Sequence, residues 1–259
     1  MGGARVRVYM FEGSNSCLTG VLMLRHKQIA YDRIDLPPAA HAFMVRFHGF
    51  PKTTVPAMVI DGERVQGTLD ISESLDEKFS GNPLFPSDPE ARSRVRESEV
   101  WGEKLQRATR RIFYGAARRD RRVFSKFLQR GELSAATWLF VRATTPLIIR
   151  LASKGHGSTD ERVQEDLRRL PENLDRIDAW LADGTLGGER LNAADHQIGP
   201  NVRAMLEFYD LQPLLEGRPC ARWARRVVPK YGAPVGPVLA PEWLDGLSRG
   251  ESPGGVAFP

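Results

Sequence analysis

Two groupings in this 259-residue chain carry side chains able to do chemistry. Ser14-Asn15-Ser16-Cys17 packs two hydroxyls and a thiol into four residues. Arg107, Arg110, Arg111 and Tyr114 stand at i, i+3, i+4 and i+7, the spacing of one helix face. Facing a cleft, that stripe would hold an anion; facing water, it is a solvated basic stripe. Cys17 is either a redox thiol or a small buried hydrophobe. The chain has no Cys-x-x-Cys, which argues against dithiol chemistry. His26, His41, His48 and His156 lack ligand spacing, so no metal site is expected. The run Arg118, Arg119, Arg121 and Arg122 is dense, but no groove-reading motif or aromatic ladder accompanies it, so no nucleic-acid partner is expected. Neither a phosphate loop nor a nucleophile elbow is present.

These residues depend on two blocks of different character. In the first, Val6–Met10 alternates as a strand, and Cys17–Gln28 has helical spacing after the turn-like Glu12-Gly13-Ser14-Asn15. Ile29–Leu36 reads as a second strand that Pro37-Pro38 stops, and a weakly patterned stretch containing His41, Phe43, Phe47 and His48 follows. Val55–Ile60 and Arg64–Gln66 form a hairpin around Asp61-Gly62, ahead of a helix near Leu69–Phe79. The order β-α-β then β-β-α predicts a mixed sheet with helical cover. Pro56 at the mouth of a strand is a strand-initiating proline or a special turn. Gly81–Ser93 is rich in proline and marks a joint. Beyond it, helices are predicted over Glu97–Gly115, Arg119–Gln129, Ala135–Lys154 and Glu161–Leu181, the last kinked or split at Pro171. Asn192 and Asp195 have capping-box spacing at the head of another helix. The Pro- and Gly-rich segment after Tyr231 reads as coil over the surface. The expected fold class is thus α/β plus all-α, divided as 1–80, a linker at 81–93, a helical domain at 94–235 and an irregular tail at 236–259.

Composition agrees with a folded globular protein: 41% hydrophobic and 27% charged residues, with a net charge of +5. Thirty of the thirty-seven basic residues are arginine, a preference that suits anion recognition and that a GC-rich genome also produces. Two distant cysteines, no signal pattern and a longest apolar segment broken by Arg142 point to a cytoplasmic protein without a membrane partner.

Four motifs in order resemble the cytosolic glutathione transferases: VPAMVIDG at 55–62, TLDI at 68–71, PLFPSDPEAR at 83–92 with Trp101, and LNAADHQI at 191–198. The resemblance runs over roughly Val6–Tyr231. It implies a thioredoxin-like domain followed by a helical bundle, a cis Val55-Pro56 bond, and a homodimer active in detoxification. No cofactor is implied beyond glutathione or another thiol as co-substrate, conjugated to a small electrophile. A bound thiol must be held as its thiolate, which a hydroxyl at a helix N-terminus favours. On this resemblance Ser14 is the catalytic residue, aligned with the serine of theta- and zeta-like members, with Ser16, Tyr9 and Cys17 as alternatives. Val55, Pro56, Gly67 and Thr68 would hold the thiol, and Arg107, Arg111 and Tyr114 the second substrate. One departure stands out: Gly67 occupies the place where an acid usually holds the thiol's ammonium group. Gly67→Glu is therefore expected to strengthen glutathione binding if the loop accepts a side chain. Asp70 is a possible substitute or a first-turn helix acid. The competing readings are a noncatalytic binding or scaffold protein and a thiol-dependent isomerase or dehalogenase. His196 stands where an apolar staple residue is usual and is read as a core or interface group.

Overall fold

The computed structural model describes residues 6–247, except 12, 38–39, 129–134 and 246. The N-terminal block is a four-stranded mixed sheet: β1 (Val6–Met10), β2 (Tyr31–Asp35), β3 (Ala57–Ile60) and β4 (Glu63–Gln66), in the order β2-β1-β3-β4. β1 pairs parallel with β2 and antiparallel with β3, and β3 pairs antiparallel with β4. The β3–β4 turn is Asp61-Gly62, both at positive φ, the conformation a two-residue hairpin needs. Strand alternation sends Val6, Val8 and Met10 to one face of the sheet, into a core shared with α1 (Asn15–His26) and α3 (Thr68–Lys78). Tyr9 and Ala57 point to the other face and pack with Leu36, Val45 and Phe50 beneath α2 (His41–Phe47).

That short helix is where the weak pattern arose. α2 buries only Val45 and leaves Phe43 and Phe47 about three-quarters exposed, so its apolar residues do not mark its inner face.

Helices dominate the second block: α4 (Pro89–Arg119), α5 (Arg122–Leu128), α6 (Ala135–His156), α7 (Asp160–Arg168), α8 (Leu170–Ala182), α9 (Ala193–Met205), a 3-10 turn (Tyr209–Leu211), α10 (Gln212–Leu215), α11 (Pro219–Val227) and α12 (Pro241–Leu244). α4 starts at Pro89, eight residues before the predicted start at Glu97. Proline suits the first helical turn, where its missing N–H has no partner to lose, and the Asp88 carboxylate accepts the Ala91 N–H at 2.8 Å. Pro171 sits in the first turn of α8 and marks a split rather than a kink. The end of the helix predicted to reach Gln129 lies outside the described residues, as do Pro38 and the chain beyond 247.

The described part of the segment after Tyr231 is clamped to the helical block. Val235 bridges Phe208, and the backbone N–H groups of Val238 and Leu239 both donate to Asp210. Trp243, in the single turn α12, is buried over Gly115 of α4.

α9 is the organising helix. Every residue of it except Arg203 is buried, against α1, α4 and α11. The approach to α4 is so close that a Cβ on Gly102 would lie 2.7 Å from Ile198. Asn192 caps α9 by accepting the N–H groups of Ala194 and Asp195 at 2.9 and 3.1 Å. The Asp195 carboxylate accepts from the Asn192 N–H, the Gly187 N–H and the Trp223 indole, each at 2.8 Å. His196, one residue on, is buried with neither ring nitrogen hydrogen-bonded, and its edge meets His26 of α1 at 5.1 Å between centroids. Burial holds its pKa down at about 3, so it is a neutral core group at the seam between the two blocks. No helix among the described residues is long and apolar enough to cross a membrane.

Two outcomes follow. Asp195→Ala strands three donors, the Trp223 indole among them buried, and should cost ~3 kcal/mol or more, against about 1 kcal/mol for Asn192→Ala; urea unfolding of both variants measures this, and equal losses would refute the anchoring role. Glu99, buried on α4, has its pKa pushed up to about 7 by burial, against the pull of Ser72 and Arg96. A carboxyl group raised in this way stabilises the fold below its unfolded pKa, and that stability fades as pH climbs towards the folded value. Glu99→Gln should therefore match wild type near pH 4.5 and exceed it by about 3 kcal/mol above pH 7. The wild-type-minus-variant difference across pH isolates this group from His196, which titrates with the opposite sign.

Candidate active site

Ser14 adopts extended backbone and caps α1, its Oγ accepting the Cys17 N–H at 3.3 Å. The Ser16 Oγ lies 3.4 Å from the Ser14 Oγ and accepts from Arg110 Nη2 at 3.2 Å. Between the two serines, Asn15 reaches the other block: its Nδ2 donates to the Pro200 carbonyl at 3.3 Å and to Asn201 Oδ1 at 3.4 Å, and the Tyr231 hydroxyl donates to its Oδ1. Asn201 in turn donates to the Gln197 carbonyl, and Gln197 Nε2 to Gln106 on α4. The helix start that presents the hydroxyls is thus fastened to α9. Cys17 is fully buried, as a packed helix residue, and Tyr9 lies on the far face of the sheet against His48 and Phe50.

The Val55-Pro56 bond is cis. Val55 lies outside the ladder, and its N–H and C=O have no hydrogen-bond partner among the described residues. The Pro56 carbonyl accepts the Gly67 N–H at 3.3 Å, which ties this turn to the head of α3. Thr68 opens α3 and is buried. Gln66, buried too, is committed elsewhere: its side chain accepts the Lys52 N–H and donates to the Lys52 and Thr54 carbonyls. Asp70 is exposed and 3.8 Å from the Lys52 ammonium.

A cavity of about 430 Å³ separates the sheet turn from the helical block. Ser14, Ser16, Thr54 and Val55 line one side, and Arg110, Tyr114, Phe113, Phe127, Phe208 and His156 the other. Sequence spacing joined Arg107, Arg110, Arg111 and Tyr114 in one stripe, and the structure divides them. Arg110 and Tyr114 face the cavity. Arg107 pairs with Glu103 in solvent at 3.0 Å, and Arg111 makes a two-pronged pair with Asp166 of α7 at 2.6 Å. On a helix of 100° per residue the cavity face is narrower than the stripe, so neither Arg107 nor Arg111 reaches it. Gly67 and Thr68 also lie off the cavity wall, beside the Val55-Pro56 turn. Asn15 is the position that the predicted site lacked; it is 186 residues from its partner Asn201.

Burial raises the Tyr114 pKa, opposed by Arg110, so the phenol stays neutral. His156 stacks on Tyr114 at 5.5 Å, and burial, Arg110 and His41 push its pKa down to about 4. Three arginines of the denser run have partners in the fold: Arg118 pairs with Asp160, Arg122 with Asp120, and Arg119 lies over Trp243, while Arg121 is exposed. Among the described residues no three His, Cys, Asp or Glu side chains form a metal-binding group.

Sheet order, the cis turn and the buried capped helix define a thioredoxin-like domain followed by an all-helical domain, the glutathione transferase fold, and residues 8–83 match the family described as glutathione S-transferase, N-terminal domain. Among solved structures the chain is similar to a glutathione S-transferase of Methylobacterium radiotolerans in complex with glutathione sulfonate, at 17% identity and TM-score 0.61, over 98% of this chain and all of that one. It is similar to the beta-etherase LigF of Sphingobium sp. strain SYK-6, at 19% identity and TM-score 0.58, over 85% of this chain and 98% of that one. A third is glutathione transferase F7 of Populus trichocarpa, at 17% identity and TM-score 0.58, over 87% and 94%. At such identities the likeness is one of fold. No curated protein matches the chain in sequence.

The condition set on Gly67→Glu, a loop that accepts a side chain, is not met, because Gly67 holds a positive φ. Gly67 sits at φ 106° and ψ 147°, a region essentially reserved for glycine. Space is available, since a Cβ would meet nothing nearer than Asp70 Oδ2 at 3.9 Å, but the backbone excludes the side chain. Gly67→Glu should lower stability by about 1–3 kcal/mol and leave glutathione affinity no better. Thermal unfolding with calorimetric titration checks both, and a stable variant with tighter binding would overturn this.

Proposed function

We propose that the protein is a glutathione transferase-like enzyme that conjugates a low-molecular-weight thiol to a small electrophile. The observation that carries this reading is that one cavity holds both a hydroxyl-bearing helix N-terminus at Ser14 and the Val55 backbone, which has no hydrogen-bond partner among the described residues. The Val55 N–H and C=O are free to pair with the backbone of a peptide-like thiol, and Thr68 supplies a hydroxyl beside them. The thiol sulfur would then lie at the start of α1. There Ser14 Oγ donates to the thiolate while the N-terminal end of α1 contributes positive potential, so the ionised form is favoured. The thiolate attacks the electrophile in the apolar half of the cavity: a carbon–sulfur bond forms and the electrophile's leaving group departs with its electron pair. The solved relatives that hold glutathione or its sulfonate support a glutathione-like thiol. A cytoplasmic homodimer acting in detoxification belongs to the same reading.

One observation favours a second reading. Position 67 has no acid and Gln66 is occupied, so of the described residues at this turn the solvent-exposed Asp70 is the acid left to meet the ammonium of glutathione. A noncatalytic binding protein of the same fold, or an enzyme using another thiol, accords with that. The beta-etherase among the fold relatives is a reminder that this architecture hosts other chemistry too.

Thermal-shift titration with glutathione and other cellular thiols identifies the partner, since specific binding raises the melting temperature with concentration. With that thiol, Ser14→Ala should slow conjugation roughly ten- to a hundredfold at neutral pH, from the loss of about 1.5–3 kcal/mol of charge-assisted hydrogen bonding. The deficit should shrink at alkaline pH, where the thiol ionises unaided. Because Ser14 also caps α1, the variant should lose about 1 kcal/mol of stability. Cys17→Ala should alter stability more than rate. Initial rates against pH decide: a dead Cys17→Ala beside a normal Ser14→Ala would move the chemistry to cysteine-based exchange, and a wild type inert towards a panel of electrophiles would favour the noncatalytic protein.

A further inference from the structure

We infer that the cavity selects a flat, apolar molecule bearing a carboxylate, and that Arg110 is the residue that holds the carboxylate. This rests on the reading of the cavity as the second-substrate site and names the class of that substrate.

Arg110 is partly buried in the cavity wall, and its one hydrogen bond among the described residues goes to the neutral hydroxyl of Ser16. A guanidinium carries five donors, so most of its capacity is unmet. No aspartate or glutamate is found among the described residues lining the cavity. The titratable groups that share the cavity with Arg110 are Tyr114, His41 and His156, and none of them is an anion at neutral pH: Tyr114 is held as a phenol, and histidine is neutral or cationic.

The neighbours on the same helix show that this is not the general condition of its arginines. One turn away Arg107 has Glu103, and Arg111 has both oxygens of Asp166. Arg110 alone of the three points into the cavity, and it alone has no hydrogen-bonded carboxylate among the described residues. A cation left in an enclosed apolar space is unfavourable until an anion joins it, and a guanidinium matches a carboxylate with two parallel hydrogen bonds. The remainder of the wall sets the shape of the partner. Phe11, Phe113, Phe124, Phe127 and Phe208 surround the space, a lining that favours a flat aromatic or similarly apolar body. The volume of about 430 Å³ is in the range of small-molecule sites.

The probes are 4-nitrobenzoate and its neutral counterpart 4-nitrobenzamide, titrated calorimetrically into the full chain with no thiol present. Wild type should bind the benzoate about tenfold more tightly than the amide, as expected for one charge-assisted pair. Arg110→Met should abolish that preference while leaving amide binding unchanged, and Arg110→Lys should retain part of it. Equal wild-type affinities, or no binding of either probe, would overturn the proposal without need of any variant. Arg110→Met weakening both probes alike would overturn it as well, by giving the arginine a structural role. The transferase reading is tested apart from this: a protein that prefers the benzoate yet conjugates nothing refutes catalysis and retains the anion site. One that conjugates neutral electrophiles without any preference between the probes does the reverse.

Discussion

The Asp195 carboxylate accepts three hydrogen bonds at the head of α9, from two backbone N–H groups and an indole, and much of the molecule depends on that junction. A helix buried on all sides has no water to satisfy its first N–H groups, so it must bring its own acceptors. Asn192 and Asp195 supply them locally, and Asp195 extends the same charge to the loop at Gly187 and to Trp223 on α11. With its end fixed, α9 can serve as the post against which α1, α4 and α11 pack. A mobile α9 would release all three.

Through α9 the two blocks share one geometry at the cavity. Asn15 is one residue from the capping hydroxyl, and its amide is bonded to α9 at Pro200 and Asn201. The tilt of the α1 N-terminus is therefore set by the helical block, although Ser14 itself belongs to the sheet block. The cavity inherits this registration: its sheet side is a turn and a helix start, its helical side the α4 face carrying Arg110 and Tyr114. Rigid elements on both sides leave few degrees of freedom to the reacting groups, which is how positioning contributes to rate.

Much of this was legible in the sequence where the physics is local. The capping spacing of Asn192 and Asp195, the Asp61-Gly62 turn and the alternation of β1 each arise from neighbours a few residues apart. Where stability comes from distant partners, local reading failed. α2 presents its phenylalanines to solvent, so no periodicity betrays its inner side. Pro89 looked like an interruption because a proline is equally a breaker and a good first helical residue; only the Asp88 cap distinguishes the two. Spacing placed Arg107, Arg110, Arg111 and Tyr114 on a helix, but not the angle at which that helix meets its neighbours. Arg110 and Arg111 differ by 100° of rotation, enough to send one into the cavity and the other to Asp166. Asn15 was passed over between two serines because its partners are far along the chain.

Gly67 has a consequence for the history open to this chain. A glycine codon is one base from a codon for aspartate or glutamate, so an acid beside Thr68 would seem one mutational step away. The backbone at φ 106° and ψ 147° makes that step costly, because a β-carbon there is strained by about 1–3 kcal/mol whatever its carboxylate reaches. An acid that meets a ligand's ammonium is therefore cheaper to vary at the exposed Asp70, in the first turn of α3, than at position 67.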